Sequence, residues 1–414
     1  MKVLVLSQYF WPETFRVTEV AKSLHDLGFE VTVLTGQPNY PGGVVFPGYS
    51  AASVETQIHD GLTIHRVPLV PRGRASAPRL VLNYLSFVVS AAVFGSWLLR
   101  GDRFDVIFVY APSPILQVIP AVWLKWTKGA KLVTWVQDLW PESLSATGFV
   151  RDQKILGAVA AVVRWIYRRN DLLLVQSQAF VEPVARMAGG TSVAYHPNPG
   201  EVAFSKSDTN LTSPLKLGPG FNIVFAGNLG TVQALDTVLA AAHLLRDEQD
   251  VHFILVGSGS RSGWLQQEAS RLGLNNIKMP GRFPPSDMPG ILAQASVVLV
   301  SLVKDPIMSQ TVPSKVQAYL AAGKPIIASL DGEGARVVTA AGAGVACQAE
   351  DPHALADAVI RLRDLLPEEL QQMAQRGLCY YEQNFEPALL AKRLGEILSD
   401  VVRGASPPFT SIHE

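Results

Sequence analysis

Cysteine is nearly absent: Cys347 and Cys379 are the only two in 414 residues. Far apart and outside any zinc-ligand spacing, they exclude a disulfide framework and leave two ordinary thiols suited to a reducing compartment. Metal-ligand spacing is missing among the eight histidines too, and there is no Asp-x-Asp pair to hold a metal–diphosphate complex. His196, in "YHPNPG" at a strand end, is the one histidine worth following, and it reads as structural. Any anionic ligand must then be met by protein cations. Net charge is lacking as well, with 35 basic against 35 acidic residues, so no whole-molecule field draws the chain to nucleic acid. Met1-Lys2 runs straight into "VLVLS", too short for the apolar core of a signal peptide, and the expectation is a cytoplasmic chain.

What is present is a globular composition, 48% hydrophobic and 17% charged, in a chain long enough for two domains. Short apolar runs alternate with helix-length segments, the pattern of parallel sheets with crossover helices. Strands are predicted at 2–6, 30–35, 63–67, 105–109, 131–136, 172–176 and 193–195, then at 222–226, 251–256, 277–279, 296–300, 325–329 and 344–347. The fold class is α/β with two doubly wound, Rossmann-like parallel sheets. Residues 198–220 are rich in Pro, Gly, Ser, Thr and Asn and read as a linker between an N-terminal domain, 1–197, and a C-terminal one, 221–385. A last helix at 386–403 can cross back to the first domain, and 404–414 reads as a tail.

From Leu80 to Leu99 no charge interrupts 20 residues, which meets the length of a membrane span. A true span would put the strand at 105–109 across the bilayer from the sheet begun at 2–6. Two readings remain: a buried crossover helix, or a helix lying in the membrane interface. The clusters "WLKWTK" (123–128) and "RWIYRR" (164–169) favour peripheral docking, because Trp or Tyr interleaved with Lys or Arg is interfacial chemistry.

Candidate chemistry gathers at strand ends. The strand "NIVFAG" runs into "NLGTVQALD", so Gly227, Asn228, Leu229 and Gly230 form a tight turn where backbone N–H groups can approach a phosphate. "VGSGSRSG" offers Gly257, Gly259 and Gly263, but the third glycine comes one residue late for a dinucleotide fingerprint and no acidic residue ends the next strand. In "TVPSKVQAYL" a lone Lys315 stands in the first turn of a helix, where the dipole disfavours a cation. Either Thr311, Val312, Pro313, Ser314 and Lys315 face a diphosphate together with 227–230 and 281–283, or Ser314 is a plain N-cap beside a solvated lysine. In the first domain Glu13, Thr14 and Arg16 follow one strand, and Gln137, Asp138 and Glu142 follow another. Carboxylates there can bind sugar hydroxyls or take a proton, although Glu13 and Glu142 equally suit helix starts.

The stretches "LSQYFWPE", "TGQPNYPGG", "VQDLWPES", "FAGNLGTVQALDTVL", "VHFILVGSG", "TVPSKVQAYLAAGKPIIAS" and "DGEGARVV" together resemble a GT-B glycosyltransferase of family 4, over nearly the whole chain. More narrowly the chain resembles the WbuB-like group, proposed N-acetyl-L-fucosaminyltransferases of bacterial surface polysaccharide synthesis. The resemblance implies a nucleotide-sugar donor on the C-terminal domain, an acceptor on the N-terminal one across a cleft, retention of configuration and no required metal or other cofactor. Retention is usually drawn as front-face attack, with the leaving diphosphate taking the acceptor proton. Asp138, Glu13 and Glu142 are the implied catalytic candidates and Thr14, Arg16 and Gln137 the implied acceptor contacts.

The chain departs from the family where Asn228 and Gln233 stand in place of an Arg and Lys clamp, and where Gln310 and Ala318 stand in place of two glutamates. Lys315 then gains weight as the diphosphate cation, with Arg282 as a second. Gly281, Arg282 and Phe283 correspond to the nucleobase loop, and Asp331 or Glu333 are candidates for the ribose contact. The expected function is transfer of an acetamido sugar, with N-acetylfucosamine as the named candidate, from a UDP-sugar to a polyprenyl-diphosphate-linked saccharide at the inner face of the cytoplasmic membrane. A UDP-sugar epimerase of the same fold and a non-catalytic partner in polysaccharide assembly are the alternatives.

Overall fold

Runs such as Lys2–Leu6 (KVLVL) and Val106–Ala111 (VIFVYA) are apolar at odd and even positions alike, which suits strands covered on both faces. The computed structural model describes residues 1–74, 76–146, 150, 152–200 and 213–405. It divides into two compact units, one of Met1–Pro197 with the chain from Leu390 onward, the other of Asn198–Leu389.

The first unit holds β1 (Lys2–Leu6), β2 (Glu30–Gly36), β3 (Glu55–His59), β4 (Leu62–Val67), β5 (Val106–Ala111), β6 (Lys131–Val136), β7 (Leu172–Val175) and β8 (Val193–Tyr195). Their order is β3-β4-β2-β1-β5-β6-β7-β8. Helices α1 (Val17–Asp26), α2 (Ala77–Leu98), α3 (Ile119–Lys128), α4 (Glu142–Ala146), α5 (Gln153–Tyr167) and α6 (Val181–Ala188) lie between strands. Strand alternation sorts the core into two layers. Val3 and Val5 pack with Val20 and Leu24 of α1, while Leu4 and Leu6 pack with Phe87 of α2, Leu124 of α3 and Ile166 of α5. Strand order reverses between β1 and β5, which makes the loops after them a natural ligand edge.

One strand was not foreseen. β3 pairs antiparallel with β4, so the first sheet is not wholly parallel. Its sequence, ETQIH, has one large apolar residue, and that residue, Ile58, is 78% exposed, because an edge strand needs little burial.

Helix α2 lies between β4 and β5 of one sheet and therefore does not pass away from it. The 80–99 run is a crossover helix that is buried along one side only. Leu80, Asn83, Phe87, Ala91 and Gly95 are buried, while much of the rest of the helix is open. Asn83, fully buried, accepts from Gln8 Nε2 at 2.8 Å and donates to the Val70 carbonyl at 2.7 Å, which ties the helix to the end of β1. At Gly95 a Cβ would come within 2.7 Å of Leu34, so glycine lets the helix sit close on the sheet.

The second unit holds β9 (Phe221–Ala226), β10 (Val251–Val256), β11 (Ile277–Gly281), β12 (Val297–Ser301), β13 (Ile326–Ser329) and β14 (Gly344–Cys347), all parallel, in the order β11-β10-β9-β12-β13-β14. Its helices are α7 (Leu235–Leu244), α8 (Ser262–Arg271), α9 (Met288–Ala293), α10 (Ser314–Ala321), α11 (Glu333–Ala340), α12 (Pro352–Arg363) and α13 (Pro367–Asn384). Phe225 and Leu255 face one core layer, Val224 and Ile254 the other. Strand order reverses between β9 and β12, beside the loop after β9.

The expected linker at 198–220 is only partly one. Gly200 N donates to the Phe385 carbonyl at 2.9 Å, and Leu215 and Leu217 pack on the second core, so both ends of that stretch belong to the second unit. Residues 201–212, and 406–414 of the expected tail, lie outside the described residues. The last helix, α14 (Pro387–Arg403), places Leu394, Ile397, Leu398 and Val401 in the first unit's core.

Candidate active site

The loops after β9, β10 and β11 and the start of α10 enclose a pocket of about 590 Å³ in the second unit. Its lining includes the apolar side chains of Phe283, Pro285, Met288 and Leu292 together with Asn228, Gly257, Ser258, Gly259, Ser314 and Lys315. Glycine is required here by close approach. At Gly257, with φ +147°, a Cβ would stand 1.8 Å from the Gly227 carbonyl oxygen, and at Gly259 one would stand 2.4 Å from the Leu229 oxygen. Two of the turn's N–H groups are already taken: Gly227 N donates to the Val256 carbonyl at 2.8 Å and Leu229 N to Ser258 at 3.0 Å. The expectation that these N–H groups cradle a phosphate is corrected for both residues, because they bind the loops to one another. Gly230 closes the turn against the Asn228 side chain.

Lys315 is the pocket's cation. Its Nζ donates to Gln233 Oε1 at 2.8 Å and lies 3.8 Å from the centre of the Phe225 ring. It makes no ion pair among the described residues. Burial lowers its pKa from 10.5 to about 7. Pro313, rather than Ser314, occupies the N-cap of α10, without a side-chain cap bond, and Ser314 is the exposed first residue of the helix. The plain N-cap alternative is thus not what is seen, and the lysine is enclosed rather than solvated. Thr311 bonds back to the Met308 carbonyl at 3.1 Å, and Val312 packs on the second core.

Other expectations in this unit divide. Arg282 lines the pocket but is exposed, and Phe283 is half-buried beside it. Gly281 accepts from Gly257 N at 2.8 Å, linking the third loop to the second. Asp331 and Glu333 do not line the pocket: Asp331 accepts from Ala349 N at 3.1 Å, and Glu333 forms a two-point pair with Arg336 at 2.8 and 3.0 Å. Ala318 does line it, next to Tyr319, whose buried hydroxyl accepts from Ala226 N at 2.8 Å. Tyr319, Gly257 and Gly259 were not foreseen as site residues; the glycines were noticed only as a failed dinucleotide pattern.

In the first unit the candidates follow β1 and β6, on either side of β5. Glu13 is buried with both oxygens occupied, Oε1 by Asn39 N and Tyr40 N at 2.8 and 2.7 Å, Oε2 by Phe10 N at 3.2 Å. Burial raises its pKa to about 7 against those bonds. Its geometry is that of a carboxylate joining two loops, not one open to a substrate. Glu142 is exposed as the first residue of α4, as a helix-start carboxylate would be, and Thr14 is exposed while Arg16 is half-buried at the N-cap of α1. Gln137 is half-buried, with its carbonyl accepting from Gln176.

Asp138 keeps the stronger case: half-buried, it accepts from the Ser143 hydroxyl, and burial raises its pKa despite hydrogen bonds from Ser143, Trp140, Ser113 and the Leu139 backbone. His196 is buried edge-on to Trp135, and burial lowers its pKa to about 3, so it stays neutral and structural. A cluster of Tyr9, Phe15, Tyr40 and Arg72 at the same sheet edge was not foreseen; Tyr9 stacks on Phe15 at 4.8 Å and the guanidinium lies 5.0 Å from the Tyr40 ring.

With this geometry in place, comparison with known proteins is decisive for the family. Residues 14–199 match the family described as glycosyl transferase 4-like domain, and residues 220–364 match glycosyl transferases group 1. The chain belongs to the GT-B glycosyltransferases. This glycosyltransferase is 26% identical over 346 residues to WcaI of Escherichia coli K12, named as a colanic acid biosynthesis glycosyl transferase, covering 78% of this chain and 82% of that one. It is 25% identical over 307 residues to the Pseudomonas aeruginosa protein named glycosyltransferase WbjE, covering 70% and 74%. The structure of Anabaena HepE in complex with UDP shares its fold with a TM-score of 0.67 at 17% identity, over 97% of this chain and all of that one. The pocket of the second unit is thus a pocket of a glycosyltransferase.

Proposed function

We propose that the enzyme transfers an acetamido sugar from a UDP-sugar to a polyprenyl-diphosphate-linked saccharide, with retention, in bacterial surface polysaccharide synthesis. The observation that carries the donor part of this reading is the second unit's pocket, which combines apolar lining with a cation that has no carboxylate partner among the described residues. A nucleobase fits against Phe283, Pro285 and Met288, and Lys315 meets the diphosphate that leaves with the nucleotide. Lys315 supplies positive charge where the leaving group gains negative charge, so the reading calls for no resident metal or other cofactor, and transfer is expected to persist in a chelator. Asp138 orients the sugar or acceptor beside Ser143, and Thr14, Arg16 and Gln137 line the acceptor side of the first unit.

Support for the substrate class comes from the names of WcaI, tied to colanic acid, and of HepE, solved with UDP. N-acetylfucosamine is the sugar to try first. A lipid-linked acceptor places the working enzyme peripherally on the inner face of the cytoplasmic membrane. Calorimetric titration of the chain with UDP, GDP, dTDP and NAD tests the donor. One-site binding selective for UDP and weakened in Lys315→Met is expected; tighter binding of another nucleotide, or binding indifferent to the substitution, overturns it.

A further inference from the structure

Helix α2 hides one stripe and presents another. Val81, Leu85, Val89, Val93 and Trp97 are each 47 to 65% exposed, opposite the stripe that packs on the sheet. Helix α3 continues this surface, with Trp123 and Trp126 at 47% and 75% exposed and their rings 5.4 Å apart. Trp123 Nε1 donates to Ser96 Oγ at 3.0 Å, joining α3 to α2, and Lys125 Nζ donates to the Arg169 carbonyl at 2.9 Å, joining α3 to the end of α5. Helix α5 adds exposed Ile155, Val162 and Trp165. Phe87, Leu124 and Ile166, one from each helix, enter a single core layer, so all three helices cover the same face of the sheet and their outer sides form one surface.

Cations outnumber anions on this surface, although Lys125 is paired with Asp171 at 2.7 Å and Asp152 caps the start of α5. Helices α2, α3 and α5, of 22, 10 and 15 residues, contain Arg79, Lys125, Lys128, Lys154 and Arg164 and no Asp or Glu, in a chain whose charges cancel overall. Arg100, Arg168 and Arg169 follow at helix ends, exposed and without an ion pair among the described residues. A second copy meeting this face about a two-fold axis would set cations against cations. An anionic lipid surface offers what the face lacks, acyl chains for the apolar stripe and phosphates for the cations, with tryptophans suited to the level between.

We propose that the outer face of α2, α3 and α5 docks on an anionic lipid bilayer, with α2 lying in the plane of the interface. Docking there rests on the lipid-linked acceptor proposed above and brings the enzyme to the plane where such an acceptor resides.

The test is co-flotation of the full chain with vesicles of phosphatidylcholine alone or with about one third phosphatidylglycerol, at low and raised salt. Binding to the anionic vesicles at least about tenfold above the neutral ones, weakened by salt, is expected. Val89→Asp with Trp126→Asp should lower it by about a hundredfold, and Arg164→Gln with Arg168→Gln by about ten- to thirtyfold, with UDP affinity unchanged in both. No flotation, equal binding to both vesicles, or a wild-type dimer that Val89→Asp with Trp126→Asp dissociates overturns the assignment. A chain that binds UDP without floating loses the docking face alone, whereas one that floats without binding UDP loses the donor reading alone.

Discussion

Replacing Lys315 with methionine should make the ligand-free protein more stable and the nucleotide complex much weaker. A lysine held at about 7 in the fold and 10.5 when unfolded leaves the folded state with fewer bound protons between those values. Its contribution to stability therefore rises with pH across that window, and near pH 7 and below the enclosed charge is a cost. A shift of that size in full burial corresponds to about 5 kcal/mol. Lys315 keeps some solvent contact, so about 1–2 kcal/mol is the expected gain in Lys315→Met, a rise of a few degrees in melting temperature.

Bound diphosphate reverses the sign, because it pairs the ammonium and raises its pKa. UDP affinity of the wild type should then fall by about fifteenfold from pH 7 to 8.5, as the free enzyme loses the proton that binding needs. In Lys315→Met the affinity should be about 10- to 150-fold weaker at pH 7 and nearly flat with pH, from loss of a charge-assisted bond of about 1.5–3 kcal/mol. Calorimetry at the two pH values reads both effects. A wild-type affinity that does not change with pH, or a variant that binds as tightly, would refute the role given to Lys315.

Three further outcomes follow from named contacts. Gly257→Ala should cost about 3 kcal/mol or more and lower the melting temperature, because its Cβ overlaps the Gly227 oxygen at a φ that L residues rarely adopt; a melt within a degree of wild type would contradict this. Glu13→Ala should cost about 2–4 kcal/mol by leaving three backbone N–H groups without an acceptor, visible in urea unfolding. If stability is untouched while turnover collapses, Glu13 is catalytic after all. Asp138→Asn should lower turnover by about tenfold or more with UDP affinity changed less than about twofold; equal loss of both would move Asp138 to the nucleotide or to the fold.

The parallel strands were legible because a strand covered on both faces is apolar at every position, as in VIFVYA. β3 was not, since an edge strand with Ile58 in solvent carries no such run. Helix α2 announced itself by length but hid its orientation: the buried stripe contains Asn83 and the exposed one contains Trp97, the reverse of what polarity suggests. Lys315 stood out as a cation alone in an apolar helix. Its bond to Gln233, 82 residues away, and two of the three donors that occupy Glu13, from residues 39 and 40, arise from loops brought together by the sheets and have no local signature. Gly257 and Gly259 were set aside because their spacing failed a dinucleotide pattern, while their actual role is to let three loops of the pocket touch.

The measurement that bears most directly on the central claim is transfer itself, followed as release of UDP and as mass gain on acceptor, from a panel of UDP-linked acetamido sugars to a bacterial polyprenyl-linked lipid extract. The account predicts UDP release that depends on the lipid extract, matched by addition of one acetamido sugar to the lipid and lost in Lys315→Met. Sugar transfer from GDP- or dTDP-linked donors instead, or UDP release without any glycosylated lipid, would contradict it.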